Sequence, residues 1–175
     1  MAASKWILDP SHSELQFKVK HLMITNVTGQ FNVLAGTLET ESDDFSSSKI
    51  EFTAETASIN TGSEQRDGHL RSADFFDAEQ FPTISFSADA YNAGSGKVTG
   101  QLTIHGITKP VTFEVEFSGT NKDPWGNEKA GFSLSGKINR TDWDLSWNSA
   151  LETGGVLVSE DVKVSAEVQF VKQAS

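Results

Sequence analysis

Four histidines, His12, His21, His69 and His105, are the first residues to weigh as metal ligands or general bases. No two stand at the i, i+2 spacing of a strand or the i, i+4 spacing of a helix that turns both rings toward one ion, and no carboxylate cluster completes a shell. A metal site is therefore not expected. His21 falls on the apolar face of an alternating segment, which leaves it two uses: a hydrogen-bonded core histidine, or a polar contact to a bound ligand. Cysteine is absent, so a thiolate nucleophile, an iron–sulfur cluster and a disulfide framework all fall away. Serines are abundant, but none reads as the nucleophile of a G-x-S-x-G or S-x-x-K motif, and no glycine-rich stretch reads as a phosphate-cradling G-x-x-x-x-G-K or strand-to-helix G-x-G-x-x-G. Asp43 and Asp44 sit in a serine-rich stretch that reads as a solvated loop.

Charge is denser from Arg66 to Arg71 (RDGHLR), just before Phe75 and Phe76. Such a segment can be a capped surface helix whose ion pairs contribute little. It can equally close a hollow fold, with its apolar side inward and Arg66 or His69 meeting the polar end of a ligand. Arg140, placed just after a strand, reads as a structural brace for an acidic neighbour. Phenylalanine is in excess, with 12 against 4 Trp and one Tyr. Phe17, Phe31, Phe52, Phe86, Phe113 and Phe132 either fill a core or line an apolar tunnel, and residue type alone does not separate the two.

The elements that must hold these residues are strands. Period-two alternation runs through Glu14 to His21 with Leu15, Phe17 and Val19 on one face, and recurs at Phe31, Val33 and Ala35, at Ile50 to Ala54 and at Ile84 to Ala90. It continues at Val98 to Ile104, Val111 to Phe117, Phe132 to Ile138 and Val162 to Phe170. That makes eight strands, with a possible short one at Trp6 to Leu8. The segment HGITKP reads as a turn joining two strands of a hairpin, with Pro110 entering the second strand. From 63 to 76 the spacing suits a short helix or two helical turns, interrupted at Gly68, with Ser72 as the cap of the second. The stretches 120–129 and 140–155 are irregular, the latter with Trp143, Leu145 and Trp147 as anchors. Eight antiparallel strands form either a sandwich or a closed barrel, and a barrel of that size fills itself or holds one small ligand.

At 175 residues the chain fits one domain spanning 1–175, long enough to bury a core without a staple. Asp and Glu number 24 against 14 Lys and Arg, for a net charge of −10. That balance argues against nucleic acid, whose phosphates draw on clustered cations, and against anionic membrane surfaces. No apolar run approaches the ~18 residues of a membrane-spanning helix. The start, MAASKWILDP, has no signal-like apolar core, so the expected location is cytoplasmic, or periplasmic if Met-Ala stands where a signal was removed.

Four stretches carry a resemblance: WILDPSHSELQFKVKHLMITNVTGQF at 6–31, TGSEQRDGHLRSADFFDAEQFPTISF at 61–86, VTGQLTIHGITKPV at 98–111 and INRTDWDL at 138–145. Together they closely resemble the YceI-like polyisoprenoid-binding family over nearly the whole chain. The resemblance implies an all-β fold, an eight-stranded antiparallel lipocalin-like barrel with a short helical segment near 63–76. It further implies a long-chain polyisoprenoid or similar amphiphilic lipid held in an elongated pocket, no cofactor, no enzymatic activity, and a homodimer in many members. On this basis Leu15, Phe17, Val19, Phe31, Phe86, Leu102, Phe113, Phe132 and Leu134 are expected to line the pocket, with His21, Arg66 and His69 at its polar end. A barrel enzyme acting on an apolar substrate and a filled-core interaction module are the alternatives. The sequence departs from the family at one turn: R-x-D-F-G-L is usual, whereas Trp143 here precedes Asp144, which adopts positive φ less readily than Gly.

Overall fold

The computed structural model describes residues 3–22, 24–41, 44–46, 48–145 and 158–173, without the side chain of Ala90. Its strands are β1 (Ser4–Leu8), β2 (Glu14–His21), β3 (Thr25–Phe31), β4 (Leu34–Thr40), β5 (Lys49–Glu55), β6 (Ile59–Asn60), β7 (Thr83–Asn92), β8 (Lys97–Ile104), β9 (Ile107–Lys122), β10 (Glu128–Asn139) and β11 (Asp161–Lys172). One helix, α1 (Glu64–Arg71), lies between β6 and β7. Neighbouring strands pair antiparallel in the order β1, β4, β5, β7, β8, β9, β10, β11, and β11 returns to β1 through Trp6 opposite Lys172 and Leu8 opposite Phe170. This is a closed eight-stranded antiparallel barrel, which leaves those strands no free edge.

The three remaining strands continue staves already in the ring. β2 pairs with the first half of β11, β3 with β2, and β6 with β3. Staves β1–β2, β3–β4 and β5–β6 are therefore each interrupted once, and each interruption shifts the inward-facing set by one residue. Trp6 and Leu8 give way to Leu15 and Phe17, Phe31 to Leu34 and Leu38, and Ala54 to Ile59. Because side chains alternate with a period of two, only such a break lets one stave keep its apolar face inward on both sides of a bend. At the first break Asp9 caps a 3₁₀ turn over Pro10–His12, its side chain accepting from the N–H of Ser11, with Pro at the first position where no N–H is needed.

Two sequence expectations change here. Phe31, Val33 and Ala35 do not share a face: the shift at Asn32 and Val33 turns Val33 outward, 46% exposed, and buries Leu34 instead. The β8–β9 turn is also shorter than HGITKP. Ile104 already pairs with Ile107, leaving His105 and Gly106 as a two-residue turn with φ of 55° and 75°, the geometry whose twist matches a hairpin. Pro110 consequently lies inside β9, opposite Gln101.

Helix α1 is one continuous helix through Gly68. Ser63 caps it by accepting from the N–H of Arg66, and the buried Asp67 accepts from the N–H and hydroxyl of Thr61 at 2.9 and 2.6 Å. Ser72 closes this helix, donating its N–H to the carbonyl of His69, and then leads the turn that carries Phe75 and Phe76. At the far end of the barrel Phe45 plugs the β4–β5 loop, its ring 5.3 Å from Trp6, 5.2 Å from Phe117 and 5.3 Å from Phe132.

Candidate functional site: an apolar cavity with one polar end

Inside the barrel is a cavity of about 590 Å³. The core is hollow, so the filled-core reading fails on volume: the cavity falls within the ~300–1,000 Å³ range of small-molecule sites. Toward Phe45 the lining includes the buried Leu38, Ser48, Tyr91, Phe132 and Phe170. Toward α1 the lining includes the exposed Gln65 and Arg66, so the mouth lies at that end.

The mouth gathers the histidines and arginines of the lining. Arg66 donates from Nε to the hydroxyl of Thr61 at 2.7 Å and from Nη2 to its carbonyl at 2.6 Å, which holds the guanidinium over the N-terminal approach to α1. His69 Nε2 lies 2.9 Å from Asp74 Oδ2, and its ring meets Phe75 edge to face at 5.2 Å. His21, the last residue of β2, lines the cavity while its backbone pairs with Thr25 and bridges to Val158. Behind them Arg140 is buried, donating to the carbonyls of Ser159 at 2.9 Å, Val158 at 3.2 Å and Leu145, with its guanidinium carbon 5.9 Å from the centre of the Phe75 ring. Burial lowers its pKa from the ordinary arginine value, with the charge of Glu160 opposing. Every ionisable side chain among the described lining residues except the phenol of Tyr91 is a histidine or an arginine. In a chain with 24 carboxylates, none is among them.

Residues 6–170 match the YceI-like domain. The chain belongs to the YceI-like family. A UPF0312 protein of Staphylococcus aureus is 42% identical over 168 residues, covering 95% of this chain and 97% of its own. The crystal structure of the Campylobacter jejuni YCEI protein is similar with a TM-score of 0.74 at 35% identity, over 89% of this chain and 90% of that one. A polyisoprenoid binding domain from Saccharophagus degradans, implicated in plant cell wall breakdown, shares the fold with a TM-score of 0.72 at 18% identity, over 99% of each chain.

In this YceI-like barrel all twelve residues singled out from sequence face the one cavity. Leu15, Phe17, Val19 and Phe31 come from the first two staves, Phe86 and Leu102 from β7 and β8, and Phe113, Phe132 and Leu134 from β9 and β10. His21, Arg66 and His69 stand at the mouth. Sequence reasoning missed Phe45, whose only signal is a lone aromatic among serines and aspartates, whereas Arg140 is the structural brace read from sequence, with Glu160 as its acidic neighbour. That guanidinium braces backbone carbonyls, because a chain turning through 140–145 leaves acceptors that only a long multivalent donor reaches. Trp147 lies outside the described residues. Asp144 takes φ 60° and ψ 23°, so the turn survives the departure from the family pattern.

Two strings that serve as catalytic motifs in other settings have no such context here. S-x-x-K at Ser46 to Lys49 has Lys49 exposed at the start of β5, while G-x-x-x-x-G-K at Gly131 to Lys137 runs extended through the middle of β10. Neither forms the loop before a helix that its chemistry requires.

Proposed function

We propose that this barrel binds, and stores or carries, a long-chain isoprenoid or a similar amphiphilic lipid without changing it chemically. The observation that carries the reading is an apolar cavity of about 590 Å³ whose histidines and arginines are confined to one end. An amphiphile has the same asymmetry. Each CH₂ withdrawn from water contributes ~0.8 kcal/mol, so several isoprene units bind tightly with few polar contacts. At the mouth the lining side chains of Arg66, His69 and His21 include no carboxylate, Asp74 standing behind His69, and this suits a head group rich in acceptor oxygens. The polyisoprenoid-binding neighbour of the same fold agrees with this reading.

The test is organic extraction of the purified untagged protein, with mass spectrometry of the extract and native mass spectrometry of the intact protein. A stoichiometric prenyl or other long-chain species that is returned unchanged after incubation is the expected result. An empty protein that also refuses added polyprenol sinks the proposal, and a chemically altered lipid would favour the barrel-enzyme alternative. Phe17→Asp and Phe113→Asp should each abolish retention in a folded protein. The same native spectra read whether the barrel pairs as a homodimer.

A further inference from the structure

Beside the mouth, the β2–β3 hairpin ends in a patch that the cavity does not use. Its tip presents Ile24, 75% exposed, and Leu22, 41% exposed. A hydrogen bond from the N–H of Ile24 to the carbonyl of His21 at 3.2 Å tightens the turn, and Leu22 holds a φ of 54°, where Gly or Asn would be far less strained. The apolar surface of the cavity continues out to this tip: Val19 and Val27 face each other across the hairpin and line the wall, His21 follows, and Leu22 and Ile24 stand beyond.

Charge singles out the same element. The chain carries −10 overall, yet from Leu15 to Leu38 there is neither Asp nor Glu. Lys18 and Lys20 lie exposed on the outer face of β2, with the exposed Lys163 opposite Lys18. Glu160 and Asp161, at the start of β11, bound the patch.

We propose that this hairpin docks the barrel on a lipid bilayer, with Leu22 and Ile24 entering the interface and Lys18, Lys20 and Lys163 facing the head groups. The inference rests on the reading of the cavity as a lipid site and adds the route by which a lipid reaches it. A barrel seated mouth-down passes an apolar chain from bilayer to cavity along Val19 and Val27 without exposing its full length to water. Exposed apolar side chains flanked by lysines are the composition of an interfacial anchor. Acidic residues beyond a Debye length from the bilayer are screened, which leaves Glu64 and Asp74 at the mouth and Glu160 and Asp161 beside the hairpin as the charges that oppose docking.

The experiment is co-sedimentation of the full chain with vesicles of phosphatidylcholine alone and of equal parts phosphatidylcholine and phosphatidylglycerol. Polyprenol uptake is measured alongside, once from those vesicles and once from detergent. Wild type should bind the mixed vesicles, and the double variant Leu22→Ser, Ile24→Ser should lose about tenfold or more in partitioning. Val33→Ser, which removes an exposed apolar side chain outside the tip, should change nothing. The double variant should still retain polyprenol delivered from detergent while taking it up more slowly from vesicles. Wild type that ignores both vesicle types, or a double variant that binds as wild type does, overturns docking even when polyprenol is retained. Self-association that the double variant abolishes overturns it as well, and makes the tip an interface between copies. Vesicle binding through the tip by a protein that retains no polyprenol leaves docking standing and removes the cavity reading.

Discussion

The ring of Phe17 lies over Gly29 on the neighbouring strand, so close that a Cβ at residue 29 would sit 2.3 Å from Phe17 Cζ. Phe113 lies over Gly136 in the same way, where a Cβ would come within 2.4 Å of Cδ1. Aromatic side chains seated on bare backbone rest against the barrel wall instead of reaching for its axis. A side chain at either glycine would push the facing ring toward the cavity.

A methyl group at position 136 therefore has to displace the Phe113 ring toward the cavity. Gly136→Ala should shorten or exclude the retained lipid and should destabilise the fold by about 1–3 kcal/mol, the usual cost of overpacking. Mass spectrometry of the extract and urea denaturation read the two effects. Unchanged lipid in a variant of unchanged stability would mean that the ring shifts elsewhere and that the glycine does not control volume.

Phe45 bounds the cavity at its closed end, gripped by Trp6, Phe117 and Phe132. Phe45→Ala should extend the cavity toward the β4–β5 loop and move the retained species to greater chain length, at a stability cost of about 3–5 kcal/mol. Competition among polyprenols of graded length provides the measurement. A loss of stability with no change in length preference would leave Phe45 as core packing alone.

Trp143 ties the turn behind the mouth to the barrel wall, its Nε1–H donating to the carbonyl of Leu102 at 3.0 Å with the ring buried. Trp143→Phe keeps an aromatic ring but strands a buried acceptor, so a loss of about 1–3 kcal/mol is expected in urea denaturation. A larger fraction of lipid lost than of stability would show that this turn also shapes the mouth.

The strands were legible because one face of each is buried and alternation records that directly: Val98, Leu102 and Ile104 read inward from sequence and are inward. The stave breaks were not. Asn32 and Val33 carry no glycine or proline to announce a phase shift, so alternation continued one residue too far and assigned Val33 to the core. The lining of the site was legible for the same reason as the strands, since inward positions of a barrel are lining positions once the barrel is hollow. Hollowness itself was hidden, because it depends on which residue lies across the ladder from each phenylalanine. Phe45 was hidden too, as a residue of an irregular segment whose burial follows from tertiary packing rather than from any local period.

Asp9 links the first break in the barrel to its far rim. Its carboxylate accepts from the hydroxyl of Ser11 at 2.7 Å, from the N–H of Ser11 at 3.1 Å and from Lys129 at 3.1 Å, and it lies 2.9 Å from His12 Nδ1. The Ser11 hydroxyl and then His12 hold its pKa well below the ordinary value of 3.8. A carboxylate depressed in the folded state stabilises the fold fully above its unfolded pKa, and that contribution fades as pH falls through the folded value. Asp9→Ala should thus cost about 1 kcal/mol near neutral pH, in line with the loss of an N-cap. The gap to wild type should hold down to about pH 4 and narrow below it. Urea denaturation of both proteins at stepped pH reads that gap. If it persists undiminished at about pH 2, Asp9 acts through packing and not through its charge.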